Sequence, residues 1–282
     1  MKGGCSLRID AHQHYWKINR GDYGWITPDI TTLYKDFLPD DLAPHLHEHQ
    51  IKQTILVQAA PTIEETEFLL GVSNESESVA GVVGWIDLEK PDYQVQFSKF
   101  EKHPKFLGFR LMIQDMPDET VVLKKSYLDA LRYFAEKDIP IDFLFVHHQL
   151  PTVIQLLETV PNLRAVVNHI GKPNIAQQVF EPWKNEISQI AQYKNIYCKL
   201  SGMITEADHN QWQLDDFTVY IHHIISEFGM DRIMFGSDWP VCLLAGSYDD
   251  VVHILNHALP KDMSESDLNK LFGENARRFY KL

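Results

Sequence analysis

Thr54-Ile55-Leu56-Val57 is an unbroken apolar and β-branched run, entered through Gln53 and left through Gln58-Ala59. A strand with one wet face alternates apolar and polar residues. A run that is apolar at every position suits a strand buried on both faces, as in a parallel sheet covered by helices. Ala165-Val166-Val167 reads the same way. Working outward, comparable runs cover Leu7–His14, Gln53–Ala59, Val79–Ile86, Phe106–Met112, Pro140–Val146, Arg164–His169, Asn195–Leu200 and Arg232–Ser237. Helical patterns lie between them. Tyr127–Ala135 spaces its apolar residues helically, Pro151–Glu158 opens with proline in a first turn, and Phe217–Phe228 stops at Gly229. Strands alternating with helices pair in parallel, and eight of them imply an α/β fold, a (β/α)8 TIM-type barrel. With 282 residues and no linker, repeat or low-complexity tract, the chain reads as one barrel domain over 1–282.

Composition narrows the class. Apolar residues make up 44% and charged residues 23%, which fits a soluble globular protein with a large core. The net charge is −13 and no Lys/Arg cluster appears, which argues against nucleic acid or an anionic membrane as partner. No apolar run is long enough to span a bilayer. Met1–Arg8 lacks a hydrophobic signal core, so Cys5 is not read as a lipoprotein cysteine. Cys5, Cys198 and Cys242 are far apart in sequence, which suggests reduced thiols and a cytoplasmic protein. Cys198 sits inside an apolar run and reads as a small buried hydrophobe. A symmetric homo-oligomer is expected only as a tendency of barrel enzymes.

Barrel chemistry gathers at the C-terminal ends of the strands. The first strand ends in Asp10-Ala11-His12-Gln13-His14. In an extended strand residues i and i+2 share a face, so His12 and His14 should converge. Two imidazoles together can hold a divalent metal, or polarise a carbonyl and move protons. His-x-His alone is a weak signal among 14 histidines. The later strand ends give it weight: Gly108-Phe109-Arg110, His147-His148-Gln149, Asn168-His169-Ile170-Gly171-Lys172-Pro173, Lys199-Leu200-Ser201-Gly202 and Gly236-Ser237-Asp238-Trp239-Pro240. Polar groups at so many of these positions would be costly to bury without a use. The long loop Tyr15–Pro44 carries Trp16, Tyr23, Trp25, Tyr34 and Phe37, which either wall a substrate pocket or pack the loop onto the rim. His45, His47 and His49 follow a helix start at Asp40–Pro44, spread over its faces, and read as surface.

Taken together, Ile-Asp-Ala-His-Gln-His-Tyr-Trp (9–16), Asn-His-Ile-Gly-Lys-Pro (168–173) and Met-Phe-Gly-Ser-Asp-Trp-Pro-Val (234–241) resemble the amidohydrolase superfamily. Within it they are similar to the branch of 2-pyrone-4,6-dicarboxylate lactonase and L-fuconolactonase, and the likeness runs through the whole chain. The resemblance implies a hydrolase of cyclic esters on a somewhat distorted barrel. It places Asp238 as the general base that activates water. It makes His12, His14 and His169, with Asp238, either ligands of one divalent metal, zinc first, or direct partners of the lactone carbonyl. His169 therefore counts as catalytic beside Asp238. A metal-independent reaction stays open, because the pyrone lactonase of this branch works without one. Arg110 and Lys199 match substrate-contacting positions, and His148, Trp16 and Trp239 join them as candidate substrate contacts.

Two departures from the family pattern bear on the substrate. Leu111 stands where relatives often carry His, and Val146-His147 where they often carry Arg-Pro. A dicarboxylate calls for several guanidinium groups for bidentate pairing. Their scarcity here favours a neutral, hydroxyl-rich lactone, an aldonolactone such as L-fucono- or L-rhamnonolactone. Two alternatives remain: a zinc-dependent decarboxylase on the same barrel, and a non-catalytic barrel that binds a sugar acid. Strand four offers Arg110 where a second metal would need a bridging lysine or glutamate, so one metal at most is expected.

Overall fold

The computed structural model describes residues 7–282. Met1–Ser6, with Cys5, lie outside the described residues. The strands are β1 (Arg8–Gln13), β2 (Ile51–Val57), β3 (Val79–Gly84), β4 (Phe106–Met112), β5 (Ile141–Leu144), β6 (Ala165–Val167), β7 (Ile196–Leu200) and β8 (Ile233–Phe235). They pair in parallel, each with the next, in a single sheet. The helices are α1 (Pro39–Glu48), α2 (Ile63–Glu75), α3 (Tyr93–Phe100), α4 (Lys125–Glu136), α5 (Leu150–Thr159), α6 (Trp183–Ala191), α7 (Thr218–Phe228), α8 (Tyr248–Ala258), α9 (Glu265–Asn269) and α10 (Asn275–Tyr280).

This is the expected distorted (β/α)8 barrel, and the distortion lies at the seam between β8 and β1. No strand ladder joins them. Instead Gln13 and Trp239 form an isolated parallel bridge, with Asp238 N donating to His12 O (2.8 Å) and His14 N to Trp239 O (2.7 Å). The barrel is therefore closed at its C-terminal end by the segments that carry the site residues. Lower down, the C-terminal segment fills the seam. Asn275 Nδ2 donates to the carbonyls of Met230 and Ile233, at 2.7 Å each. The seam thus gains side-chain donors for carbonyls that would otherwise be left unpaired.

Two apolar layers hold the barrel. Helices cover the strands with a continuous cluster that includes Phe109, Phe134, Phe143, Leu156 and Ile224. A separate interior cluster joins Ile9, Ala11, Ile55, Val57, Val83, Val166 and Met234 to Ala276, Phe279 and Tyr280, so α10 packs on the interior residues of the strands. The Tyr15–Pro44 loop is pinned by Trp16, whose Nε1 donates to Lys35 O (2.8 Å) and whose ring meets Phe37 edge-on. His45 of α1 and His49, which caps its C-terminal end, stack on Tyr248, and His49 bonds the exposed Asp249 at 2.6 Å, so these histidines serve the outer surface. Among the described residues no helix is long and apolar enough to cross a membrane. Cys198 and Cys242 are both buried free thiols.

Candidate active site

His12 and His14 converge, but not by simple alternation. Between Asp10 and Gln13, β1 advances three residues while β2 advances two, from Thr54 to Leu56. One extra residue in a strand is a bulge, which re-aims the side chains beside it. Asp10 fixes it: its carboxylate accepts from His12 N (3.1 Å), Ser237 N (2.9 Å) and Tyr248 Oη (3.1 Å). The bulge and the β8 seam are thereby locked to each other. His12 Nε2 and His14 Nε2 end 3.2 Å apart.

His169 and Asp238 arrive differently. Each sits just past its strand with a left-handed backbone, φ +54° and +58°, and Ile170 and Lys172 follow at +50° and +48°. Non-glycine residues seldom adopt this conformation, and where it persists the surroundings over-determine it. Here the turns swing the two side chains over the barrel mouth. Gly202 makes room: a Cβ there would stand 2.3 Å from His169 Nδ1, and its own φ is +59°. Gly236 does the same for His12, whose Cβ would be 2.6 Å from an added Cβ.

The Asp238 carboxylate is the hub. Its Oδ1 lies 3.3 Å from His14 Nε2, 3.6 Å from His12 Nε2 and 3.7 Å from His169 Nε2. Burial works to raise its pKa, yet opposing influences, the facing His169 foremost, hold it below the ordinary aspartate value. Burial lowers all three imidazoles: His169 to about 3, His14 below its usual value, and His12 far below, helped by the Lys199 ammonium. At neutral pH this is an ionised carboxylate ringed by neutral imidazoles. That pattern belongs to a base with proton carriers around it.

Above the hub lies a cavity of about 300 Å³. His14, His169, Asp238 and Arg110 line its floor; Trp25, Gln114, Asp115, Lys172, Glu206 and His209 rise around it. Arg110 is not paired with a carboxylate. Its Nε and Nη2 donate to Gln58 Oε1 at 3.1 and 2.7 Å, and Nη2 also donates to the Gln58 carbonyl. Lys172 Nζ stands 3.4 Å from Glu206 Oε1. Gln114 Oε1 is buried without a partner.

Four expected substrate contacts do not line this cavity. Lys199 is wholly buried inside the barrel, bonded to Asp142 and His12. Trp16 and Trp239 are buried packing rings that hold the loop and the seam. His148 is exposed on the turn after β5, outside the cavity lining. The aromatic that does face the cavity is Trp25, 40% exposed and anchored by Nε1 to Ala59 O at 2.8 Å. Glu206 and His209 were invisible to the sequence reading. They follow β7 in an irregular segment with no motif, and only the fold brings them over the mouth.

His12, His14 and Asp238 could also hold a divalent cation. Ligand atoms 2.0–2.2 Å from a tetrahedral zinc stand about 3.4 Å apart. The three donor atoms here are separated by 3.2, 3.3 and 3.6 Å. His14 Nδ1 donates to Val57 O at 2.7 Å, which leaves its Nε2 lone pair free and supplies the usual outer partner of a metal-bound histidine. The spacing therefore fits one ion.

An L-fucono-1,5-lactonase from Burkholderia ambifaria is 34% identical over 280 residues, covering 98% of this chain and 96% of that protein. A second L-fucono-1,5-lactonase, from Burkholderia multivorans, is 34% identical over 98% of this chain and 97% of its own length. A crystal structure of an amidohydrolase from Burkholderia multivorans with zinc bound superposes with a TM-score of 0.93 at 34% identity, covering 98% of this chain and 99% of that one. The amidohydrolase family pattern matches residues 9–282, and with the strand-end histidines and Asp238 in place the chain belongs to that family.

Proposed function

We propose that this protein hydrolyses a sugar lactone, an aldonolactone of the L-fucono or L-rhamnono kind, to its open-chain acid. The observation that carries this reading is the ionised Asp238, which shares the floor of a small polar cavity with the neutral His14 and His169 and is backed from beneath by His12. Asp238 takes a proton from a water within about 3 Å as that water attacks the lactone carbonyl carbon. The carbonyl oxygen gains negative charge, which imidazole N–H groups stabilise in a site shielded from solvent. The ring C–O bond then breaks, and the proton held by Asp238 passes to the departing alkoxide, giving a hydroxy acid that ionises and releases one proton. His12, His14 and Asp238 would hold a zinc ion, which would polarise the carbonyl and lower the pKa of its bound water.

The cavity favours a neutral substrate. Its two cationic side chains are already engaged, Arg110 with Gln58 and Lys172 with Glu206, while Asp115, Glu206 and Asp238 add negative charge. Substrate carboxylates would find no free fork. Hydroxyl groups would find acceptors in the Glu206 and Asp115 carboxylates. A volume of about 300 Å³ sits at the small end of ligand pockets, as a single sugar ring requires. The L-fucono-1,5-lactonase name of the 34% identical Burkholderia proteins points to the same class. A proton-release assay across aldonolactones, with aromatic carboxylates scanned for decarboxylation beside them, tests the reading. Carbon dioxide release without lactone opening would replace it with the decarboxylase.

A further inference from the structure

Lys199 points into the barrel interior, where a charge is costly unless it is paired. Its Nζ has two partners, Asp142 Oδ2 at 2.5 Å and His12 Nδ1 at 3.3 Å. Asp142 is itself held: Asn168 Nδ2 donates to Oδ2 (2.9 Å) and Tyr280 Oη to Oδ1 (2.6 Å). The whole chain is buried, and it ties the last helix, α10, to the floor of the active site.

An ammonium has three donors and no acceptor. Its contact with His12 Nδ1 is a hydrogen bond only if that nitrogen presents its lone pair. A neutral imidazole that accepts at Nδ1 carries its proton on Nε2. His14 is set the opposite way, because the Val57 carbonyl can only accept from its Nδ1. Its Nε2 is thus an acceptor, 3.2 Å from His12 Nε2. The two assignments agree, with His12 Nε2–H directed at His14 Nε2 and the Asp238 carboxylate.

We propose that Lys199 is a positioning residue that holds His12 as the Nε2–H tautomer in the metal-free site, so that His12 donates toward the Asp238 carboxylate and keeps that base oriented. The consequence for the base rests on the lactonase reading; the tautomer does not. Metal-bound histidines ordinarily donate their outer N–H to a carbonyl or carboxylate, as His14 is placed to do. His12 faces a donor in that position. The three donor atoms are spaced for an ion, and His12 would have to give up its Nε2 proton, or move it to Nδ1 against Lys199, to ligate one.

The test is the Lys199→Met/Asp142→Asn double variant, which removes both charges; Lys199→Met alone would strand a buried carboxylate. Long-range ¹H–¹⁵N spectra of the metal-free protein at neutral pH report which ring nitrogen carries the proton, and the His12 signal is the one lost in His12→Gln. The proposal expects Nε2–H in the wild type and a shift toward Nδ1–H in the double variant. With an aldonolactone substrate, kcat falls about tenfold or more while KM changes little, as a misoriented general base would produce. A wild-type His12 protonated on Nδ1 overturns the proposal, and so does a double variant that keeps Nε2–H. If the double variant does not fold, the wild-type spectrum decides alone. The expected tautomers without any lactone opening would uphold the role of Lys199 and remove the lactonase reading.

Discussion

Replacing Asp238 with asparagine keeps the shape of the side chain and removes its ability to take a proton. Oδ1 stands 3.3–3.7 Å from three imidazole nitrogens, so the amide is held in the same place. A positioned general base contributes about 10²–10⁴-fold to rate, or about 3–5.5 kcal/mol of barrier. Asp238→Asn should therefore lower kcat by that range and leave lactone affinity within a few fold. Stability moves in a defined direction. The folded pKa lies below the unfolded one, so the carboxylate stabilises the fold above the unfolded value and loses that contribution as pH falls through the folded value. The variant should be less stable than the wild type at pH 7, and the difference should shrink in acid. Turnover followed by a pH indicator and binding followed by calorimetry separate the two effects. A variant that retains kcat within about threefold would show that the water is activated elsewhere, and the proposed chemistry would be wrong.

Other perturbations test other parts of the site. Gly202→Ala forces a Cβ to 2.3 Å from His169 Nδ1 at a left-handed φ, so activity should drop at least about tenfold; unchanged kcat would mean that His169 does not act. Asp10→Ala strands two backbone N–H groups and the Tyr248 hydroxyl, at about 1–3 kcal/mol each, and urea denaturation should show a loss of about 3 kcal/mol or more. Burial lifts Asp10 to about 6, above its unfolded value, so the fold binds a proton the unfolded chain has released. Its contribution should therefore be greatest below pH 4 and shrink toward pH 6; a gap from Asp10→Ala that widens over that interval would contradict this. The kcat/KM profile should show no step centred at 6.5, where an unperturbed histidine titrates, because burial lowers the titration of His12, His14 and His169 below that value; a clear step there would refute that assignment. Trp25→Ala should raise KM with little change in melting temperature, since the ring is 40% exposed and faces the cavity; a large melting shift with constant KM would make it a packing residue.

The strand runs were legible because a strand buried on both faces has little choice but to be apolar throughout. Where those strands stop was not. The apolar run Arg232–Ser237 yields only Ile233–Phe235 as strand, and Arg164–His169 only Ala165–Val167. Composition does not reveal where the backbone turns left-handed, and that turn is what delivers His169 and Asp238. The pairing of His12 with His14 was legible as spacing, but it depends on a bulge fixed by Asp10, Ser237 and Tyr248 from distant parts of the chain. Lys199 was placed at a strand end facing substrate; it lies within β7, and its partners Asp142, Asn168 and Tyr280 come together only in the folded barrel. Trp25 is one of six aromatics in the Tyr15–Pro44 loop, and nothing local separates the one that faces the cavity from Trp16, which the loop buries.

The most direct measurement is proton release by the purified protein on L-fucono-1,5-lactone, L-rhamnono-lactones and a pyrone dicarboxylate, with the metal content of the same sample determined. The account predicts rapid opening of at least one neutral aldonolactone, one proton per lactone opened, little action on the dicarboxylate, and no more than one metal ion per chain. Failure to open any aldonolactone above the spontaneous rate, or a preference for the dicarboxylate, would contradict it.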